Sequence, residues 1–285
     1  MVSLRNLGRS TFLTTLLLAA LSGCGGDDKD TADAGPAPVK VAGDACEKGG
    51  ATGDLQEKIT VGGAERSYFV HIPVEAATKS VALVFAFHGD GGTGKGLRDG
   101  LGLEQHTKEE AIVVYPDANG GSFDIDTQDG NPDIAFFDAI KQKLQASHCI
   151  TRVFATGFSR GAYFTNHLGC YRGDQLAAIA SHNGGGPYAA PYKDGNLQCP
   201  SAPPSALVVN GLADQTVAKT ESEKSIAQWT RTLGCKQTTK DTIPKPCATF
   251  DGCTKPMEWC PIPGLGHAVW DAGMEKTWRF FKAAP

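Results

Sequence analysis

The chain has 285 residues, 41% of them hydrophobic, with 27 basic against 31 acidic side chains and a formal net charge of −4. No basic cluster or stripe offsets this acidic balance, which argues against nucleic acid as a partner. Nine cysteines add a further constraint, and its meaning depends on the compartment the chain is sent to.

The opening stretch, MVSLRNLGRSTFLTTLLLAALSGC, sets Arg5 and Arg9 before an apolar core running from Phe12 to Leu21. That core is too short for a permanent membrane span and has the build of a secretory signal. Leu21-Ser22-Gly23-Cys24 resembles the lipobox of bacterial lipoproteins. The resemblance implies a signal peptide over 1–23, cleavage before Cys24 and acylation of its sulfur. The expected product is exported and anchored at the cell envelope, on its periplasmic or cell-surface face, touching membrane only through that lipid. Residues 24–45 follow as an acylated cysteine and tether. They lack aromatic residues and are rich in Gly, Ala, Asp and Pro, so they bury too little apolar surface to offset ordering. Asp27, Asp28 and Asp30 read as part of this solvated spacer rather than a calcium site. Loss of Arg5 and Arg9 with the leader leaves 25 basic against 31 acidic residues, a charge of −6. Residues 46–285 are long enough for one good-sized core and short enough for a single domain; a monomer is expected.

Within that domain, EKITVGGAERSYFVHIP (57–73) predicts two strands joined at a Gly-Gly turn. VALVFAFHG (81–89) and AIVVYP (111–116) are continuous apolar runs of strand length, as in strands covered on both faces. DIAFFDAIKQKLQAS (133–147) spaces Ile134, Phe137, Ile140 and Leu144 as one helix face, with Asp133 placed to cap it. TRVFATG (151–157) predicts a strand and RGAYFTNHLGCY (160–171) a helix. Strands follow over 176–181 and 205–211, a helix over 222–234, a strand over 256–262 and a closing helix over 271–283. Strands alternating with helices predict an α/β fold: a mostly parallel, twisted sheet with helices on both faces. Ligands of such sheets bind beyond the carboxyl ends of the strands.

Gly157-Phe158-Ser159-Arg160-Gly161 fits the G-x-S-x-G nucleophile elbow, in the strand-then-helix context that gives the match meaning. Glycines two residues either side let strand and helix approach around a strained serine. Such a serine needs a base, and the base needs an orienting acid. Asp214 follows the strand ending at Gly211, and His267 lies in the glycine-bearing loop after the last strand. The order Ser159, Asp214, His267 is the one this architecture requires. His182 also follows a strand but precedes every candidate acid. The backbone amides of Arg160 and of Asp90, in FHGDGG, are the expected oxyanion donors. The run GDGGTGKG lacks both phosphate-binding and dinucleotide spacings, so no cofactor is expected.

At these residues the chain resembles secreted feruloyl esterases and the related polyhydroxybutyrate depolymerase-like esterases of the α/β-hydrolase fold. The likeness runs from about Cys46 to the C-terminus and includes RSYFVHIP, LVFAFHGDGG, VVYPD, CITRVFATGFSRGAYFTNHLGC, NGLADQTV and WCPIPGLGH. It implies ester cleavage through an acyl-enzyme, with Ser159, Asp214 and His267 as the triad. Cys149, Cys170, Cys235, Cys253 and Cys260 resemble family positions. With Cys24 set aside, these join Cys46, Cys199 and Cys247 as eight cysteines, an even number that points to disulfides in an exported chain. No C-x2-C pair supports zinc, so no metal is expected. The return of the helix from Ser159 predicts a Cys149–Cys170 bridge, and residues 235–260 a second stapled unit supporting the His267 loop.

Loops 116–132 and 182–205 should wall the site. Phe123, Phe158, Tyr188 and Trp270, with His88 and His182, are the candidate substrate contacts, and Tyr192 is a further aromatic in the second loop. Asp124, Asp126 and Asp129 do not have calcium-loop spacing. The Asp90 carboxylate should disfavour anionic groups near the scissile bond. The expected substrate is an ester, polysaccharide-linked or polyester, and the leading expectation is feruloyl esterase activity on plant cell-wall xylan esters. Polyhydroxybutyrate or short-chain polyhydroxyalkanoate depolymerase and acetylxylan esterase are the alternatives. A non-catalytic surface binding module is the alternative from another class, and the order of the triad speaks against it.

Overall fold

The structure, a computed structural model, describes residues 44–188, 192–193 and 196–285. The leader, Cys24 and the tether up to residue 43 lie outside them. Twelve strands occur in the described residues: β1 Gly53–Val61, β2 Ala64–Ile72, β3 Val81–Phe87, β4 Ala111–Pro116, β5 Ile150–Phe158, β6 Ala178–His182, β7 Tyr192–Lys193, β8 Asn196–Leu197, β9 Ser205–Gly211, β10 Thr239–Asp241, β11 Ala248–Phe250 and β12 Met257–Ile262. The helices are α1 Gly94–Leu101, α2 Glu104–Thr107, α3 Pro132–Ser147, α4 Arg160–Tyr171, α5 Lys219–Thr232 and α6 Gly273–Ala283.

Ten strands form one sheet in the order β1-β2-β4-β3-β5-β6-β9-β12-β11-β10, with β7 and β8 as a separate pair. The six strands from β4 to β12 in that order are parallel to one another. The outer pairs β1–β2, β2–β4, β12–β11 and β11–β10 are antiparallel. Gly62 and Gly63, both at positive φ (58° and 83°), make the two-residue turn between β1 and β2, a conformation glycine adopts without steric cost.

The unbroken apolar runs have a simple cause. In β3, Val81, Leu83, Phe85 and Phe87 enter the core on one face, while Ala82, Val84 and Ala86 enter the core on the other. The period of two thus buries every residue of a strand covered on both sides. Phe136, Phe137 and Ile140 of α3, Phe164 and Leu168 of α4 and Trp229 of α5 pack on the first face. Met274, Trp278 and Phe281 of α6 pack on the second, with Leu97 of α1 at its margin.

The expected cap of α3 is corrected. The α3 cap is Asn131, whose side chain accepts from the Asp133 and Ile134 amides. Asp133 instead pairs with buried Arg66 at 2.6 Å and accepts the Asp124 amide, so it anchors loop 116–132. Asp124 Oδ1 accepts from the Asp126 and Thr127 amides, which makes that acidic run a self-bonded turn.

The cysteines pair as Cys46–Cys149, Cys170–Cys199, Cys235–Cys253 and Cys247–Cys260. Cys149 does not meet Cys170. Cys149 lies at the entry to β5, where its carbonyl accepts from Val81 and the Cys46 segment bonds to Thr78 close by. Cys170 belongs to the helix layer and packs with Leu197 and Cys199. A disulfide needs Cα atoms within about 7 Å, and each cysteine finds such a partner in its own layer. Residues 235–260 do form a stapled unit, with two bridges across the antiparallel extension β10–β12. Because stabilisation by a crosslink grows with the enclosed loop, the Cys46–Cys149 bridge, spanning 103 residues, should contribute most. Replacing both cysteines by alanine should cost about 3–4 kcal/mol and lower Tm by roughly 6–16 °C. Calorimetry should find a smaller loss for the bridge spanning 18 residues, Cys235–Cys253.

Candidate active site

Ser159 stands between β5 and α4 with φ 54° and ψ −121°, a backbone region that costs a residue with a side chain on the order of 1–3 kcal/mol. The packing around it leaves no alternative. A methyl group on Gly161 would lie 2.1 Å from the Phe87 carbonyl oxygen, and one on Gly157 would lie 2.3 Å from that of Gly161. Strand and helix therefore meet backbone to backbone, as the glycine spacing predicts. The Ser159 amide donates to the His182 carbonyl at 3.0 Å. Its hydroxyl does not cap α4 and so is left for another partner.

That partner is His267. Its Nε2 lies 2.9 Å from Ser159 Oγ, and its Nδ1 lies 2.8 Å from Asp214 Oδ2. A carboxylate only accepts, so Nδ1 carries the proton and Nε2 is left to accept from the serine hydroxyl. Asp214 Oδ1 accepts from the Thr216 and Val217 amides at 2.8 and 2.9 Å. Burial opposes ionisation of Asp214, but the hydrogen bonds from His267, Val217 and Thr216 outweigh it and hold the carboxyl below its usual range. The Asp214 and His267 loops leave different strands, β9 and β12. They touch at Gly211, where an added methyl would lie 2.2 Å from the Leu265 carbonyl, and the Ala213 amide donates to that same oxygen.

Gly89 packs against Ser159, with 3.2 Å between an added Cβ and that of the serine. The amides of Asp90 and Arg160 donate to no acceptor among the described residues. Beyond them a cavity of about 370 Å³ is lined by Asp90, Ile125, Ser159, Arg160, Tyr163, Tyr188, Thr216 and Val217. The Tyr163 and Tyr188 rings stack at 5.6 Å and 26° to form one wall. Burial, and then the nearby Glu221 carboxylate, push the Tyr163 hydroxyl up to about 12, so Tyr163 presents a neutral ring at ordinary pH. Arg160 ties the loop wall to the elbow by donating from Nε to the Phe123 carbonyl at 2.8 Å. Its charge faces Asp90 and Asp126 at 4.0 and 3.8 Å. The arrangement offers an activated hydroxyl, a proton acceptor, two unengaged amides and an aromatic-walled hollow, the parts acyl transfer requires.

No protein-family model matches the chain. A probable feruloyl esterase C of Aspergillus clavatus is 27% identical over 221 residues, covering 71% of this chain and 77% of that protein. Feruloyl esterase C of Emericella nidulans is 26% identical over 242 residues, covering 77% and 84%. The chain is thus similar to feruloyl esterases over most of its length. The solved acetyl xylan esterase of Aspergillus awamori superimposes with a TM-score of 0.66 at 18% identity, covering 81% of this chain and all of that one. Its likeness establishes the α/β-hydrolase fold. The protein is a carboxylesterase.

The structure of this carboxylesterase divides the aromatic and histidine candidates. Tyr188 lines the cavity, and the Phe158 ring lies 4.8 Å from that of His267. The others do not face the hollow. His88 is buried; its Nε2 accepts from the Ala118 amide at 3.1 Å and its Nδ1 donates to the Gly89 carbonyl at 2.7 Å. It therefore pins the FHGDGG loop rather than a ligand. Phe123 is enclosed by Phe87, Phe164 and His88 and supports the elbow from the core. Trp270 packs on the α6 side, and Tyr192 is exposed. His182 is buried against α6, with Nε2 2.9 Å from Thr277 Oγ1. Its parity shows why: Ala178 and Ala180 of β6 face that same core, and residue 182 continues their side of the strand. The cavity residues absent from the sequence expectation are Ile125, Tyr163, Thr216 and Val217. Tyr163, one helical turn after Ser159, was within reach of a spacing argument.

Burial pushes His182 down from 6.5 to about 4. Burial, opposed by the Asp124 and Asp126 charges, does the same to His167. Both groups bind protons in the unfolded chain before they do in the folded one. The stability they contribute is therefore complete above about pH 6.5 and is lost as pH falls toward 4, by up to about 1.4 kcal/mol per pH unit for each. Thermal unfolding between pH 7 and 4 should show Tm falling, and His182→Gln should make the decline shallower by one proton's contribution.

Proposed function

We propose that Ser159 is the nucleophile of this carboxylesterase, His267 its general base and then acid, and Asp214 the group that orients and electrostatically supports the imidazole. The observation that carries this reading is the continuous chain Ser159 Oγ–His267–Asp214 at 2.9 and 2.8 Å. His267 Nε2 takes the hydroxyl proton as Oγ attacks the ester carbonyl. The resulting oxyanion is received by the amides of Asp90 and Arg160. Nε2 then returns the proton to the departing alcohol, leaving an acyl-serine that water, activated by the same nitrogen, hydrolyses.

The substrate class we infer is a hydroxycinnamoyl ester of a plant cell-wall polysaccharide. Similarity to feruloyl esterases supports it, and so does the stacked Tyr163–Tyr188 wall, whose flat apolar faces match a planar aromatic acyl group. The carboxylates of Asp90 and Asp126 at the rim favour a neutral ester over an anionic one. No comparable feature favours a polyester chain. The four disulfides accord with an oxidising, exported setting. No helix among the described residues is long and apolar enough to cross a membrane. Export with a lipid on Cys24, as the lipobox-like sequence implies, is the localisation we propose. On that reading Cys24→Ala should move the protein from the membrane to the soluble fraction on cell fractionation.

The enzymatic test compares wild type with Ser159→Ala and Asp214→Asn on p-nitrophenyl acetate, methyl ferulate, acetylated xylan and a hydroxybutyrate oligomer. Ser159→Ala should lower kcat by roughly 10⁴-fold or more, and Asp214→Asn by roughly 10⁴-fold. Methyl ferulate should show the highest kcat/KM of the panel. A Ser159→Ala protein as active as wild type would remove the assignment, and a preference for the hydroxybutyrate oligomer would remove the substrate class.

A further inference from the structure

Resting on the triad reading above, we infer that Asn183 is the positioning residue that holds His267 in line with Ser159. Asn183 immediately follows β6, is 2% exposed and has φ 49°, a left-handed conformation that asparagine tolerates better than most residues with a side chain. Every hydrogen-bonding atom of its amide group is engaged. Nδ2 donates to the Ala268 carbonyl at 2.7 Å and to the Gly266 carbonyl at 3.2 Å. Oδ1 accepts from the Gly211 amide at 2.6 Å. Its own backbone amide donates to the Val209 carbonyl at 2.8 Å.

The position of these bonds gives them their consequence. Gly266 and Ala268 flank His267, and the Ala268 amide closes a three-residue turn onto the Gly266 carbonyl at 2.9 Å. His267 is therefore the apex of a tight turn, and Asn183 holds the carbonyls on both sides of that apex. A methyl group on Gly266 would meet nothing within 4 Å, so that side of the turn is open, and its carbonyl side rests on Gly211, which Asn183 also holds. The same side chain holds Gly211, three residues before Asp214. One planar amide thus fixes the base loop against the acid loop, and its backbone follows directly after His182, whose carbonyl holds the Ser159 amide. Three strand ends, β6, β9 and β12, are registered through one residue. Aspartate could not replace it, because a carboxylate oxygen would face two carbonyl oxygens with no proton to give.

The test uses purified Asn183→Ala and Asn183→Asp with wild type and Ser159→Ala, on a soluble p-nitrophenyl ester. A misplacement on the order of 1 Å in a reacting group costs about 10²-fold in rate. Asn183→Ala is therefore expected to lower kcat about 10–100-fold with KM changed less than about two-fold and the near-UV circular dichroism of wild type retained. Proton NMR gives a readout independent of turnover: the low-field Nδ1–H signal of His267 should be sharp in wild type and Ser159→Ala, and broadened or lost when Asn183→Ala is added to either. Asn183→Asp should lose at least as much activity as the alanine variant, and it carries the test if the latter does not fold. A kcat within two-fold of wild type, an unchanged His267 signal, or failure of both variants to fold would overturn the inference, the last by assigning Asn183 to stability alone. Full activity in Ser159→Ala would instead count against the triad, and the NMR comparison would still judge Asn183.

Discussion

The site depends on one close crossing. Where α4 leaves β5, the backbone at Gly161 lies so near the Phe87 carbonyl that no side chain fits between them. This contact brings the first turn of α4 against the end of β3, and it forces Ser159 into its positive-φ turn. It also sets the amide of Arg160 opposite the loop that carries Asp90. The place of Ser159, proposed as the nucleophile, the proposed anion-binding amides and the entrance to the aromatic hollow all follow from it. A larger residue at 157 or 161 would separate the layers and disperse the whole constellation.

A second feature is the division between residues that meet a ligand and residues that hold those in place. His88, Phe123, Asn183 and Asp133 lie close to the site, yet each bonds or packs inward. His88 fixes the FHGDGG loop, Phe123 fills the space under the elbow, and Asp133 with Arg66 fixes the loop that delivers Ile125. The cavity itself is lined by residues of no unusual sequence character, such as Thr216 and Val217. The first two of these supporting residues, His88 in the FHGDGG motif and Phe123 in a loop expected to wall the site, read as functional because the neighbourhood of a strand end holds both kinds of residue.

The histidines illustrate the limit of motif reading. His88 and His267 follow strands of the parallel sheet, and His182 ends one. His267 reaches the serine because its loop swings across the sheet's carboxyl edge and is held there by neighbouring backbone. His182 is still part of its strand, so the alternation of the strand directs it toward α6 and Thr277. Counting parity from Ala178 shows this in the sequence, whereas the role of Asn183, one residue later, depends on two loops distant in the chain. The cysteines behave similarly. The second stapled unit is local and legible, but Cys46 and Cys170 choose partners according to which layer they occupy.

From its sequence alone this protein's alternating strands and helices, its glycine-flanked serine and the chain order of serine, acid and histidine were already determined, because each rests on periodicity, steric allowance or spacing along a short stretch. The tertiary structure decided the antiparallel edges of the sheet, the disulfide partners, the side chains that wall the cavity and the bonds that hold His267. Those depend on distances between segments far apart in the chain, and such distances exist only once the two faces of the sheet have been covered and the loops have met at its carboxyl edge.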